Sequence, residues 1–65
     1  MITQADCQQF LDLGGNPQTD LGAPSNVTTA ALIFGWVQAI QDATARQRAI
    51  DLVKAYILAN GGIGN

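Results

Sequence analysis

Apolar residues recur at helical spacing in three segments of this 65-residue chain, and the pattern predicts an all-α fold of about three helices. The predicted helices span 3–13, 27–42 and 45–60, with a long loop at 14–26. A loop of this length is long for a connection between helices. Because a chain this short holds one domain at most, we expect a single small helical domain over 1–65.

Capping and turn residues mark the ends of these segments. Thr3 can cap the first helix with Asp6 three residues later, and the glycine pair after residue 13 can close its C-terminus. We expect Ser25 or Asn26 to be the N-cap of the second helix. The third helix is expected to stop at a second glycine pair, which leaves 60–65 as a flexible glycine-rich tail.

The second and third helices could instead be one continuous helix, because no Gly or Pro separates them. At 100° per residue, the apolar stripe around Trp36 lies about 100° from the stripe around Val53, so a straight rod would present two separate apolar faces. Thr44 and Gln47 have the spacing of a capping box. We therefore predict a boundary within about two residues of Thr44, with the continuous helix as an alternative that would require oligomerisation.

Three amphipathic stripes converge on a predicted core. Cys7 lies on the apolar side of the first helix and is interpreted as a small core residue. The larger predicted core residues are Phe10, Leu32, Ile33, Trp36, Val37, Ile40, Val53, Tyr56 and Ile57.

Some apolar or small residues fall outside these stripes and suggest a protein contact. Val27 and Phe34 lie one heptad apart on the polar side of the second helix. Ala31 and Gly35, on the same side, form a small pair that another backbone could approach closely. The alternative for Phe34 is that the long loop folds back over it within one chain.

Two further candidate contact residues lie near the C-terminus. Leu58 lies among the polar residues of the third helix, and Ile63 lies in the tail. The candidate protein interface is therefore Val27, Phe34, Leu58 and Ile63.

The composition also favours a protein partner. Only 12% of the residues are charged, with a net charge of -2, against about a quarter in a typical domain. A core of this size rarely supplies more than about 3–5 kcal/mol without staples, and a single cysteine cannot form an internal disulfide. Packing against itself or a larger assembly is therefore the expected role, as in an accessory subunit of a phage or virus particle.

The sequence offers little for catalysis. It contains no His and no Glu, and its five Asp residues are scattered singly, so neither a metal site nor a general acid–base pair is indicated. Cys7 has no neighbouring base or cation to activate it. We expect no enzyme activity and no cofactor.

The alternative hypothesis is a small regulatory binder of nucleic acid or protein, of the helix-turn-helix kind. Arg46, Gln47 and Arg48 would lie at the start of the last helix, where such proteins place base-contacting residues. Three basic residues in a chain with a pI near 4.3 are few for phosphate binding. Nucleic acid is therefore the less favoured partner.

A membrane role is also disfavoured. The apolar stretch 27–40 is shorter than the roughly 20 residues that a spanning helix needs. The first residues lack the basic region of a signal peptide. We expect no signal peptide or transmembrane segment, and a location in the cytoplasm or within a virion.

Overall fold

The computed structural model describes residues 1–63, and over these residues the fold is all-helical. Four helices follow one another: α1 (Gln4–Asp12), α2 (Pro17–Leu21), α3 (Ala30–Ala39) and α4 (Ala43–Ala59). The predicted fold class is confirmed, with one more helix among the described residues than the pattern indicated.

Helix α1 begins with the predicted capping box. The Thr3 hydroxyl accepts from the Asp6 backbone N–H at 3.1 Å, and the Asp6 carboxylate accepts from the Thr3 N–H at 3.0 Å. The helix ends before Gly14, which has a φ of 98°, a left-handed conformation that glycine adopts without a steric penalty.

Helix α2 lies inside the segment that was predicted to be a loop. The Asn16 side chain accepts from the backbone N–H groups of Gln18 and Thr19 at 2.9 and 3.0 Å. Pro17 occupies the first helical position and Gly22 closes the helix with a φ of 70°. The prediction of a continuous loop at 14–26 is therefore wrong, because capping residues at both ends support one short turn of helix.

Helix α3 begins later than predicted. Its N-cap is Thr29, whose side chain accepts from the Leu32 N–H at 3.2 Å, rather than Ser25 or Asn26. The preceding segment is held instead by Gln18, whose side-chain amide donates to the carbonyls of Pro24 and Val27 at 2.8 Å each.

The boundary between α3 and α4 is confirmed near Thr44, and the continuous-helix alternative is wrong. Helix α3 ends at Ala39, and α4 begins at Ala43 with Asp42 as its N-cap. The Asp42 carboxylate accepts from the Ala45 N–H at 2.8 Å, so Asp42, not Thr44, caps the helix.

The core forms where α3 and α4 both pack against α1. Leu32 is the predicted core residue that the structure contradicts, because it is 44% exposed. Trp36, Ile40 and Tyr56 are partly buried and pack against the core. The predicted core residues that are fully buried are Phe10, Ile33, Val37, Val53 and Ile57, and Cys7 is buried with them. The buried apolar residues outside that predicted list are Ile2, Leu21, Ala23, Val27, Ala30, Ala49 and Ile50.

The first part of the predicted flexible tail is fixed to the helices. Gly61 adopts a φ of 88°, and the Gly62 N–H donates to the Ile57 carbonyl at 2.8 Å. The Ile63 N–H donates to the side-chain oxygen of Gln9 at 2.7 Å. Part of the predicted tail therefore makes hydrogen bonds to α1 and α4, and its last two residues, 64 and 65, lie outside the described part of the chain.

Candidate protein-contact surface

Two of the predicted contact residues lie largely inside the molecule. Val27 is 3% exposed and belongs to the core, which corrects its assignment to the surface. The helical phase used for Val27 does not apply, because α3 starts only at Ala30. Phe34 is half-buried and packs against the core.

The other two predicted contact residues are on the surface. Leu58 is 67% exposed, on the side of α4 that faces away from the core residue Val53. Ile63 is 85% exposed, although its backbone is held by the hydrogen bond to Gln9. Their side chains are therefore available to a partner, and for Ile63 the adjoining backbone is also fixed in position.

A larger apolar surface lies on the outward side of α3. Ala30, Ile33 and Val37 form the inner side of this helix and are buried. The remaining positions point away from the core, apart from the half-buried Phe34 and Trp36. We call the outer face of α3 the surface formed by Ala31, Leu32, Gly35, Trp36, Gln38 and Ala39, of which all but Trp36 are exposed.

The outer face of α3 has no charged side chain. The helix contains one polar residue, Gln38, and the nearest charged residues along the chain are Asp20 and Asp42. Leu32 is 44% exposed, so this face exposes apolar surface to water and has no charged group within it. Scattered exposed apolar residues are ordinary, whereas a contiguous apolar face indicates an interaction site.

One part of this face is predicted by the sequence, and another part is not. The small pair Ala31 and Gly35 was identified, and both residues are exposed. Leu32 was missed because the inner side was centred on Trp36, about 80° from the true centre between Ile33 and Val37. Since almost every residue of α3 is apolar, the apolar pattern alone cannot define its inner side.

The alternative basic site is partly committed to contacts within the chain. The Arg46 guanidinium donates to the Ile40 carbonyl at 2.8 Å, which ties the start of α4 to the end of α3. The Gln47 side-chain amide donates to the Asp51 carboxylate at 2.9 Å. Arg48 is exposed.

An open depression runs along the outer side of α4. Its lining belongs to a single helix, so no second element closes it around a ligand. The lining residues are Ala43, Thr44, Gln47, Arg48 and Asp51.

The single cysteine lies in a setting that suppresses its reactivity. Cys7 is fully buried, and loss of water around the thiol, followed by the nearby negative charge of Asp6, raises its pKa to about 11. A thiol with such a pKa is almost entirely protonated at neutral pH, and the thiolate is the reactive form. Cys7 therefore serves packing here.

Over residues 1–63, no group of three His, Cys, Asp or Glu side chains is arranged to hold a metal ion. None of the helices in that range has both the length and the apolar character needed to cross a bilayer.

Comparison of the chain with protein-family models, with curated protein sequences and with solved structures gives no match.

Proposed function

We propose that this chain is a non-enzymatic structural or assembly subunit that works by packing against protein, with the outer face of α3 as its contact surface. The observation that carries the proposal is a continuous outward surface without charge, on which Leu32 is 44% exposed. Covering such a surface releases water from apolar groups and desolvates no charge.

The composition supports the same role. A low share of charged residues, 12%, reduces the cost of taking surface out of water, because an unpaired buried charge is expensive. Leu58 and Ile63 add exposed apolar side chains outside α3. An accessory subunit of a large particle, such as a phage or virus, is one setting in which surfaces of this kind are covered.

Leu32 and Leu52 provide a matched pair of variants for testing this proposal. Leu32→Gln places a polar group on the outer face of α3, and Leu52→Gln makes the same change on α4, where the leucine is 41% exposed. Both variants are expected to fold, as judged by far-UV circular dichroism and melting, because neither side chain is in the core.

The wild-type chain and both variants are then used as bait in an extract of the producing organism. Proteins retained by the wild type and by Leu52→Gln but lost with Leu32→Gln are purified and titrated against the bait by calorimetry. Self-association is measured in parallel by sedimentation equilibrium. The proposal is supported by a purified partner or a self-complex whose affinity depends on Leu32. It is overturned if Leu32→Gln changes no association at all.

Nucleic-acid binding is the second candidate. One observation favours it: α3 and α4 are joined by only three residues, 40–42, with Arg46, Gln47 and Arg48 in the following turn. Against it, Arg46 and Gln47 are engaged within the chain. Fluorescence anisotropy with duplex DNA tests it, since phosphate-driven affinity must fall steeply with salt and with Arg48→Ala.

A further inference from the structure

Gly35 stands in the middle of α3, where the chain's own packing does not require a glycine. Its backbone does not adopt a positive φ, so its conformation does not require glycine. A Cβ added there would meet nothing within 4 Å among residues 1–63. Glycine inside a helix is less stable than alanine. The missing side chain therefore leaves open space on the outward side of the helix without any benefit to internal packing.

Gly35 is the centre of a groove with a ridge beside it. Ala31, Gly35 and Ala39 recur every four residues and form a row of small side chains, while Leu32 and Trp36 form the neighbouring row of large ones. Helices pack by placing the ridge of one helix in the groove of the other. Here a ridge and a groove of the same type lie side by side on one face.

This arrangement is complementary to itself. When two copies are related by a two-fold axis, the same patch is used on both sides. Leu32 of each copy, with the exposed part of the half-buried Trp36 beside it, can then enter the row of Ala31, Gly35 and Ala39 of the other. The missing Cβ of Gly35 allows the two helix backbones to approach closely where they cross.

The charge distribution also favours a second copy. With no charged side chain in α3, the surface meets itself without like-charge repulsion and leaves no charge unpaired. A charged partner surface would lose its hydration against this face without gaining a counter-charge. The net charge of -2 per copy adds little long-range repulsion.

We propose that the outer face of α3 binds a second copy of this chain, with the two α3 helices crossing at Gly35. This inference rests on the proposed function, in that it names the partner of the same surface. The whole chain exposes 3790 Å², and a standard interface takes about 800 Å² from each partner. A ten-residue helix of about 15 Å supplies less than that, so the dimer belongs to the small, weakly binding class of interfaces.

Sedimentation equilibrium from micromolar to millimolar concentration tests the proposal. The wild-type mass should rise from monomer to dimer over this range. Gly35→Leu fills the groove and should weaken the dimer at least tenfold. Ala55→Leu, a similar enlargement on the exposed side of α4, should leave dimerisation unchanged. Leu32→Gln removes part of the ridge and serves as a second variant if Gly35→Leu does not fold.

Gly35→Ala gives a sharper signature, because its two effects have opposite signs. It should raise the melting temperature of the dilute monomer, since alanine is the better helix former, and it should weaken the dimer several-fold, since its methyl group separates the crossing helices. Thr44→Ala, at an exposed position of α4, should not weaken the dimer.

Two results would overturn the proposal. A wild-type chain that stays monomeric at millimolar concentration excludes the second copy. A dimer that forms equally well with Gly35→Leu and Leu32→Gln uses another surface. In the first case the proposed function is tested separately. It is supported if a purified heterologous protein binds the chain and Leu32→Gln weakens that binding.

Discussion

The side-chain oxygen of Gln9 in α1 accepts a hydrogen bond at 2.7 Å from the backbone N–H of Ile63, 54 residues further along the chain. This bond holds the segment after α4 against the first helix. Gln9→Ala should cost about 0.5–1.5 kcal/mol, the usual net value of one hydrogen bond, and it should abolish the protection of the Ile63 amide in hydrogen exchange.

The neighbouring amide and residue provide the controls for Gln9→Ala. The Gly62 N–H, bonded to the Ile57 carbonyl at 2.8 Å, should remain protected. Gln8→Ala removes a side chain that donates to Asp12 and should leave Ile63 protected. If the Ile63 amide exchanges equally slowly in Gln9→Ala, the hydrogen bond does not hold the segment.

Gly15 lies against the most buried ring of the core. A Cβ at this position would lie 2.5 Å from atoms of the Phe10 ring, which is fully buried and has no space to move. Gly15→Ala should therefore destabilise the fold by about 1–3 kcal/mol, as overpacking does. Chemical denaturation measures the effect against Gly35→Ala, which should stabilise the monomer by about 0.5–1 kcal/mol.

The N-cap of α4 can be identified by two substitutions that are close in sequence. Asp42→Ala removes the carboxylate that accepts from the Ala45 N–H and should cost about 1 kcal/mol. Thr44→Ala should change stability by less than about 0.5 kcal/mol, because the side chain is exposed and does not cap. If Thr44→Ala lowers the denaturation midpoint more than Asp42→Ala does, Thr44 rather than Asp42 is the N-cap.

Leu32 lies on the outer face of α3, and its neighbour Ile33 lies on the inner side. Ile33 is fully buried, so Ile33→Ala should cost about 2–5 kcal/mol, which is most of what so small a domain has. Leu32→Ala should cost less than about 1 kcal/mol in dilute solution. Equal costs in thermal or chemical unfolding would show that Leu32 belongs to the core.

Because Cys7 is buried, the stability of the fold is expected to depend on pH in the alkaline range. The thiol pKa is about 11 in the folded chain against an ordinary value of 9.0, so between these values the unfolded chain binds fewer protons than the folded one. Stability from this group is therefore complete below about pH 9 and is lost as pH rises towards about 11.

Cys7→Ala is the control for this pH dependence. Urea midpoints measured from neutral to alkaline pH should fall less steeply above pH 9 in the variant than in the wild type. Thiol labelling of the native protein at neutral pH should be limited by opening of the fold. Rapid labelling under native conditions would contradict the buried position of Cys7.

The sequence was most informative where local chemistry and the apolar pattern agreed. The capping box of Thr3 and Asp6 and the phase difference between the two later stripes correctly indicated α1 and the boundary near Thr44. Helix α2 was missed because five residues are too short for an apolar period, although Asn16 and Gly22 mark both of its ends.

The candidate surface was harder to predict, because the apolar pattern identifies an inner side only when the outer side is polar. In α3 the outward residues Leu32 and Gly35 are as apolar as the inward ones. Packing against α1 decides which side is buried, and that information lies elsewhere in the chain. Val27 illustrates the same point, because side-chain hydrogen bonds from Gln18, rather than a helical phase, fix its backbone.

The packing of α1 against α4 also bears on how the protein is made. Phe10 and Tyr56, whose ring centroids lie 4.9 Å apart, are separated in the chain by nearly all the residues that form the other helices. A ribosome delivers Phe10 well before Tyr56, so the apolar side of α1, which packs against both α3 and α4, is not fully covered until α4 has emerged. Productive folding therefore follows translation of the last helix, and truncated or stalled chains are expected to be substrates for chaperones and proteases.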